Sequence, residues 1–212
     1  AAFTDLRLTG VSASYTIRFS LVSNSSFSVS QQVGVGAGNP VKIAITQQPG
    51  DILAGEQFAS SVSVQIQDAS GNQVSSLTGS ATIQPVFIDL AGNAVATYSA
   101  VGSTAGNVIF ESLTHTLVGD YRLRFVVGDN SSVSPLTSVT SNPFSISHNV
   151  ASELVWVSGT EPSAASNDGV ISPAPSIKVV DAFGNAVSTG PTVEVVASVT
   201  GSNTADVVNI AG

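Results

Sequence analysis

The stretch "VQIQDASGNQV", Val64 to Val74, returns later in the chain as "IKVVDAFGNAV", Ile177 to Val187, with Asp, Gly and Asn at identical spacing. Both copies pass from alternating apolar residues into Asp-x-x-Gly-Asn, the makings of a strand that ends in a tight turn. Asp accepts bonds from its own backbone, Gly takes positive φ, and Asn tolerates the left-handed region. A third instance of the spacing lies in "IDLAGNAV", Ile88 to Val95. The competing reading for Asp68, Asp89 and Asp181 is calcium, whose ligands are oxygens of this kind. A Ca²⁺ site, however, takes about six to eight oxygens, and few further carboxylates flank these positions. Asp68 and Asp181 therefore read as turns, and Asp89, which follows a strand containing Pro85, fits that reading less well.

Working outward from the matched turns, the rest of the chain also repeats. "FTDLRLTGVSASYTIRFSLVSNSS" from Phe3 corresponds to "FESLTHTLVGDYRLRFVVGDNSS" from Phe110. Phe3 and Phe110 are 107 apart, and Tyr15/Tyr121, Phe19/Phe125 and Asn24/Asn130 are each 106 apart. Pro49/Pro162 and Asp68/Asp181 are 113 apart, and Thr78/Thr189 are 111 apart. A period of this length is the size of one immunoglobulin-like β-sandwich. The phase places the C-terminal half of one repeat at 1–38, a complete repeat at 39–149 and the N-terminal half of another at 150–212. Joining "VVNIAG" at the end to "AAFTDL" at the start restores the pattern of "GSTAGNVIFESL" with one residue fewer, so the two halves are complementary. Half a sandwich exposes an apolar inner face and an unpaired edge. The expectation is that the missing half comes from a neighbouring copy, by chain continuation or by strand exchange.

Short period-two runs bounded by Gly, Pro, Asn and Ser predict strands over Ser14–Leu21, Val41–Thr46, Ser61–Gln67, Ser80–Ile88, Tyr121–Val127, Glu153–Val157, Ser176–Val180 and Thr192–Val199, and no run predicts a helix. With 19 glycines and nine prolines as punctuation, the fold class is all-β, built from immunoglobulin-like sandwiches. "GAGNP", Gly36 to Pro40, reads as a linker.

Composition excludes several kinds of partner. The 212 residues carry six basic and 14 acidic side chains, a net charge of −8, which opposes docking on nucleic acid or anionic lipid. No apolar run approaches the length of a membrane span, and Ala1 opens no leader pattern. Without cysteine there is no disulfide, thiolate metal site or thiol nucleophile. Only 9% of residues are charged, so the surface is polar but largely neutral, which is uncommon for a cytosolic domain.

The segments "VKIAITQQPGDILAGEQFASSVSVQIQDASGNQV" and "FESLTHTLVGDYRLRF" resemble the bacterial immunoglobulin-like and filamin-like repeats found in tandem in large secreted surface proteins. The shared pattern is QPxxxxAGxxF, a strand ending in D-x-x-G-N-x-V, then F-x-x-L and G-x-Y-x-L. The middle copy matches along most of its length, the third through Pro162 and Asp181, and the first through Phe3, Leu6 and Tyr15. "SAASNDGVISPAP" departs from the AG of "ILAGEQF". The resemblance implies a spacer, stalk or adhesive module at the cell surface, and no single ligand.

Among individual residues, Phe3, Tyr15, Phe19, Phe110, Tyr121, Phe125 and Trp156 are expected in cores, the tyrosines with hydroxyls bonded to backbone. Asn24 and Asn130 head Asn-Ser-Ser sequons at equivalent loop positions and are candidate glycosylation sites. His115 and His148 have no acidic neighbour in sequence, and no nucleophile-elbow, zinc-binding or phosphate-loop motif occurs. The expectation is a structural protein without cofactor, calcium being the one candidate, and without enzymatic activity. Its first partners are neighbouring copies of the repeat. The alternative is an adhesive module that binds a glycan or surface protein through a divergent loop, Ser134–Pro143 or Thr160–Pro175.

Overall fold

The computed structural model describes residues 2–75, 81–128, 136–163, 169–188, 195 and 198, and among them every helical or extended element is a strand. The chain is all-β. β1 (Ala13–Leu21) and β2 (Asn24–Val35) form an antiparallel ribbon. The central unit then runs through β3 (Lys42–Gln47), β4 (Ile52–Leu53), β5 (Val62–Gln67), β6 (Thr82–Asp89) and β7 (Ala94–Thr97). It continues through β8 (Val101–Gly102), β9 (Asn107–Phe110), β10 (Gly119–Val127), β11 (Val139–Thr140) and β12 (Phe144–Ser147). A second antiparallel ribbon follows, β13 (Ala151–Trp156) with β14 (Ile177–Asp181).

In the central unit, β3, β5 and β9 form one sheet in that order. The other has the order β4-β12-β10-β6-β7, with β11 also against β10 and β8 against β6. The pairing of β4 with β12 is parallel, while the other named pairs are antiparallel. Period-two alternation sends one face of each sheet into a shared core, as expected of half-buried strands. β5 contributes Val62, Val64 and Ile66, and β10 contributes Tyr121, Leu123 and Phe125. Phe87 of β6 is fully buried where Phe58, Tyr98, His115, Tyr121 and Phe144 surround it. Burying each such large apolar side chain stabilises the fold by about 1.5–3 kcal/mol.

Seven of the eight strands expected from periodicity are present with ends shifted by a few residues, and the eighth, Thr192–Val199, lies almost wholly outside the described residues. The sequence reading passed over β2, β4, β7, β8, β9, β11 and β12, most of them only two to four residues long. β2 looks like a Ser/Gln-rich loop because its outward positions are Ser26, Ser28, Ser30 and Gln32. Its alternate positions Phe27, Val29, Val33 and Val35 supply an apolar face.

The expected core residues divide by location. Phe110, Tyr121 and Phe125 are buried, while Tyr15 and Phe19 are half-buried. Phe3 and Trp156, expected in cores, are instead 59% and 47% exposed. The reason is that Phe3 packs on the first ribbon and Trp156 lies in the second, and among the described residues no second sheet lies across either ribbon's apolar face. Yet the local packing is retained: Phe3 stacks on Phe19 at 4.9 Å and 28°, as Phe110 stacks on Phe125 at 5.2 Å and 29°.

Candidate functional site

The two matched turns sit where the ribbons meet the central unit. Asp68 follows β5 and closes its turn with Asp68 N–H donating to Asn72 O (2.9 Å) and Gly71 N–H to Asp68 O (3.1 Å). Gly71 takes φ of +86°, a conformation that side chains beyond glycine rarely adopt. The carboxylate then accepts four N–H groups. Oδ1 accepts from the backbone of Ser70 and Asn72, both at 2.9 Å. Oδ2 accepts from Asn72 Nδ2 at 2.9 Å and from the backbone of Gly38 at 2.8 Å. Gly38 belongs to the segment that carries the chain from β2 into β3.

Asn72 extends the network to the loop before β1. Its Nδ2 donates to Gly10 O at 2.9 Å, and its Oδ1 accepts from Ser12 N–H at 2.7 Å. One turn thereby grips two segments of the preceding ribbon, the loop that leads into it and the peptide that leaves it.

The second turn repeats this bond for bond. Asp181 Oδ1 accepts from the backbone of Phe183 and Asn185, and Oδ2 accepts from Asn185 Nδ2 and from Asn149 N–H, all at 2.9 Å. Asn185 Nδ2 donates to Thr116 O at 2.7 Å, and Val118 N–H donates to Asn185 Oδ1 at 3.3 Å. The partners Gly10 and Thr116, like Ser12 and Val118, are 106 apart, and Gly38 and Asn149 are 111 apart. The gripped loop is itself braced by a tyrosine at each junction. Tyr15 Oη donates to Val11 O at 2.7 Å, and Tyr121 Oη to Val118 O at 3.3 Å. These are the backbone-bonded hydroxyls expected from the sequence.

The second junction has two further ties. Asn149 Nδ2 donates to Ala54 O at 2.9 Å. The Phe183 ring lies against Gly55, which has φ of +80° and whose hypothetical Cβ would stand 2.2 Å from Phe183 Cζ. A side chain at that positive φ would be strained and would have to displace the Phe183 ring, which gives the Ala-Gly of "ILAGEQF" a role in seating the next segment.

Electrostatics follow from these donors. The Gly38 N–H, then the Asn72 side chain and the remaining backbone bonds, hold Asp68 down at about 2. For Asp181 the largest influence is desolvation, which raises the pKa, but the bonds from Asn185, Asn149 and Phe183 outweigh it and hold the group at about 2. Hydrogen bonds to the charged form favour that form. Each oxygen already accepts two N–H groups, which takes up the lone pairs that a cation would use. Among the described residues no three His, Cys, Asp or Glu side chains come together as a metal site would require.

Asp89 forms the same turn after all, between β6 and β7. Asn93 donates from its backbone at 2.8 Å and from Nδ2 at 2.9 Å, Gly92 has φ of +92°, and the bonds from Asn93 lower the carboxyl pKa. Its hydrogen bonds stay within the hairpin.

Of the other expected sites, Asn24 is exposed at the tip of the β1–β2 hairpin, its Oδ1 accepting from Ser26 N–H at 3.0 Å. Asn130 lies outside the described residues. Ser134–Pro143, expected to be a divergent loop, contributes β11, and Thr160–Pro175 is irregular where it is described. His115 is buried against Phe87 and Tyr121, with ring centroids at 5.0 Å from each, and desolvation lowers its pKa. Among the described residues no helix is long and apolar enough to cross a membrane.

The sequence reading missed the receiving side of each junction: Gly10, Ser12, Gly38, Thr116, Val118 and Asn149. They offer mainly backbone groups, so residue identity carries little signal. Their recurrence at the repeat separation was the available clue. No family model and no curated protein matches the chain, and its functional reading rests on this geometry.

Proposed function

We propose that the chain is a structural segment of an extracellular filament, stalk or surface appendage, made of tandem immunoglobulin-like repeats assembled head to tail. One observation carries this reading: the same clasp, from Asp-x-x-x-Asn to the loop and exit peptide of the preceding segment, recurs at both junctions with its donors and acceptors conserved in role. A protein that only needed a turn there would not need to spend both side chains on a neighbour.

The immunoglobulin-like assignment draws support from the central unit's three-stranded sheet facing a larger one, with a short strand added in parallel at the latter's edge. The mechanism is mechanical. Backbone ladders and a two-sheet core keep each repeat rigid, and the clasps hold successive repeats at a fixed angle, so that length and stiffness accumulate along the array. A sparsely charged, Ser/Thr-rich exterior suits exposure outside the cell, and no catalytic group or cofactor enters the mechanism.

Electron microscopy of the native material tests the proposal. The expected image is a long fibre with a regular axial repeat, and a population of small isolated globules overturns it.

A further inference from the structure

The two ribbons present apolar faces that lack a covering sheet among the described residues, and the central unit contains the template for what covers them. β1–β2 reproduces the geometry of β10 with β11 and β12. Phe19 opposes Val29 as Phe125 opposes Val139, and Tyr15 opposes Val33 as Tyr121 opposes Phe144. β13–β14 reproduces β3–β5 in the same register. Leu154 opposes Val179 as Ile43 opposes Ile66, and Trp156 opposes Ile177 as Ile45 opposes Val64.

In the central unit these two substructures face each other and bury Phe110, Phe125, Val62, Val64 and Ile66. In the ribbons the counterparts are uncovered: Phe3, Phe27 and Val29 on one are 59%, 65% and 67% exposed, and Leu154, Trp156 and Ile177 on the other are 51%, 47% and 40% exposed. Each ribbon supplies the half that the other lacks.

Within one chain they are joined to opposite ends of the central unit. The first junction abuts the C-terminal end of β5 at Asp68. The second touches Ala54, Gly55, Thr116 and Val118, in loops beyond the opposite end of β5, where Val62 pairs with Phe110. A six-residue strand separates these ends by about 17–20 Å before the turns are counted.

From this complementarity we infer that the occupant of the β1–β2 apolar face is the β13–β14 ribbon of a second copy of this chain, the two forming a composite sandwich on the pattern of the central unit. The inference rests on the head-to-tail reading above and adds the surfaces, the register and the partner. Residue pairings follow from the template. Phe110 opposite Val62 becomes Phe3 of one copy opposite Pro175 of the next, and Ile109 opposite Ser63 becomes Ala2 opposite Ser176. The first pair points inward and the second outward.

Absence of cysteine makes this register directly testable. Opposed residues of antiparallel strands lie within the reach of a disulfide. Under mild oxidation the 212-residue chain carrying A2C and S176C should give a ladder of disulfide-linked oligomers on non-reducing gels. The chain carrying S30C and S176C, with residue 30 on the outward face of β2, should give none. Mixing A2C with S176C single variants should stop at a dimer. In parallel, Phe19→Asp should weaken association by at least about 30-fold in sedimentation, the loss typical of a central interface residue. Its retained thermal transition for the central unit would separate that loss from unfolding.

A monomer closed by its own 2–176 disulfide, no ladder, or equal crosslinking through residue 30 would each overturn the inference. A failed ladder alongside a periodic native fibre would reject this register and leave the filament reading standing, whereas globular native material would reject that reading itself.

Discussion

Asp89 and Asp181 occupy the same five-residue turn, yet one closes a hairpin and the other joins two parts of the molecule. In both, Asn four residues on donates its backbone and side-chain N–H to the carboxylate, and a glycine with positive φ makes the bend. The difference lies in what remains available after the turn is closed. Asn93 is exposed and Asp89 half-buried, and the bonds between them stay within the hairpin. Asn185 and Asp181 are 7% and 0% exposed, and their remaining capacity goes to Thr116, Val118 and Asn149. A turn becomes a joint when a neighbouring backbone uses the atoms that solvent would otherwise have taken.

The strongest way to break the joint is to remove the amide that faces both ways. Asn185→Ala or Asn72→Ala takes away bonds to a buried carboxylate and leaves a backbone carbonyl and N–H of the neighbour without their partners. Each should cost about 1.5–3 kcal/mol, the range for hydrogen bonds to charged groups, measured by urea unfolding. Small-angle scattering should also show a wider spread of shapes. Unchanged scattering with lowered stability would mean that the turn serves its own sheet alone.

A weaker perturbation is acid. Asp68 and Asp181 bind protons less readily in the folded state, with pKa about 2 against an ordinary 3.8. Their contribution is therefore complete above about pH 4 and is lost progressively as pH falls through about 2. Asp68→Asn and Asp181→Asn should flatten the fall in unfolding midpoint over that window, and a slope equal to that of the parent chain would count against the clasp. Smallest of all, Asn93→Ala should cost under about 1 kcal/mol, as for an exposed turn bond, with scattering unchanged. If it matched Asn185→Ala, burial would not be what distinguishes the turns.

Much of this is legible in the sequence. Alternation in "VSVQIQ" and "YRLRFVV" marks β5 and β10 because a half-buried strand must place every second side chain in the core. Asp68 and Asp181 were identifiable as turns from Gly and Asn chemistry, and Tyr15 and Tyr121 as backbone-bonded. β2 was hidden because serines fill its outward positions, and the pattern only emerges when Phe27, Val29, Val33 and Val35 are read together. The exposure of Phe3 and Trp156 was not legible as residue chemistry, since both are core types; it comes from which sheets the ribbons lack. The junctions were hidden for a different reason. Side chains on one partner read backbone on the other, and any residue other than proline can present an N–H, so Gly38 and Asn149 share a role without sharing an identity.

The neutrality of the clasp donors has one more consequence. Each carboxylate is satisfied by N–H groups at 2.8–2.9 Å, with no ammonium or guanidinium among the partners described for it. Mobile ions screen charges over about 10 Å at 0.1 M salt, a distance far longer than these contacts, and they have no counter-charge here to displace. Joints made in this way should hold equally in fresh water and in brine, a property that the proposed extracellular fibre would use.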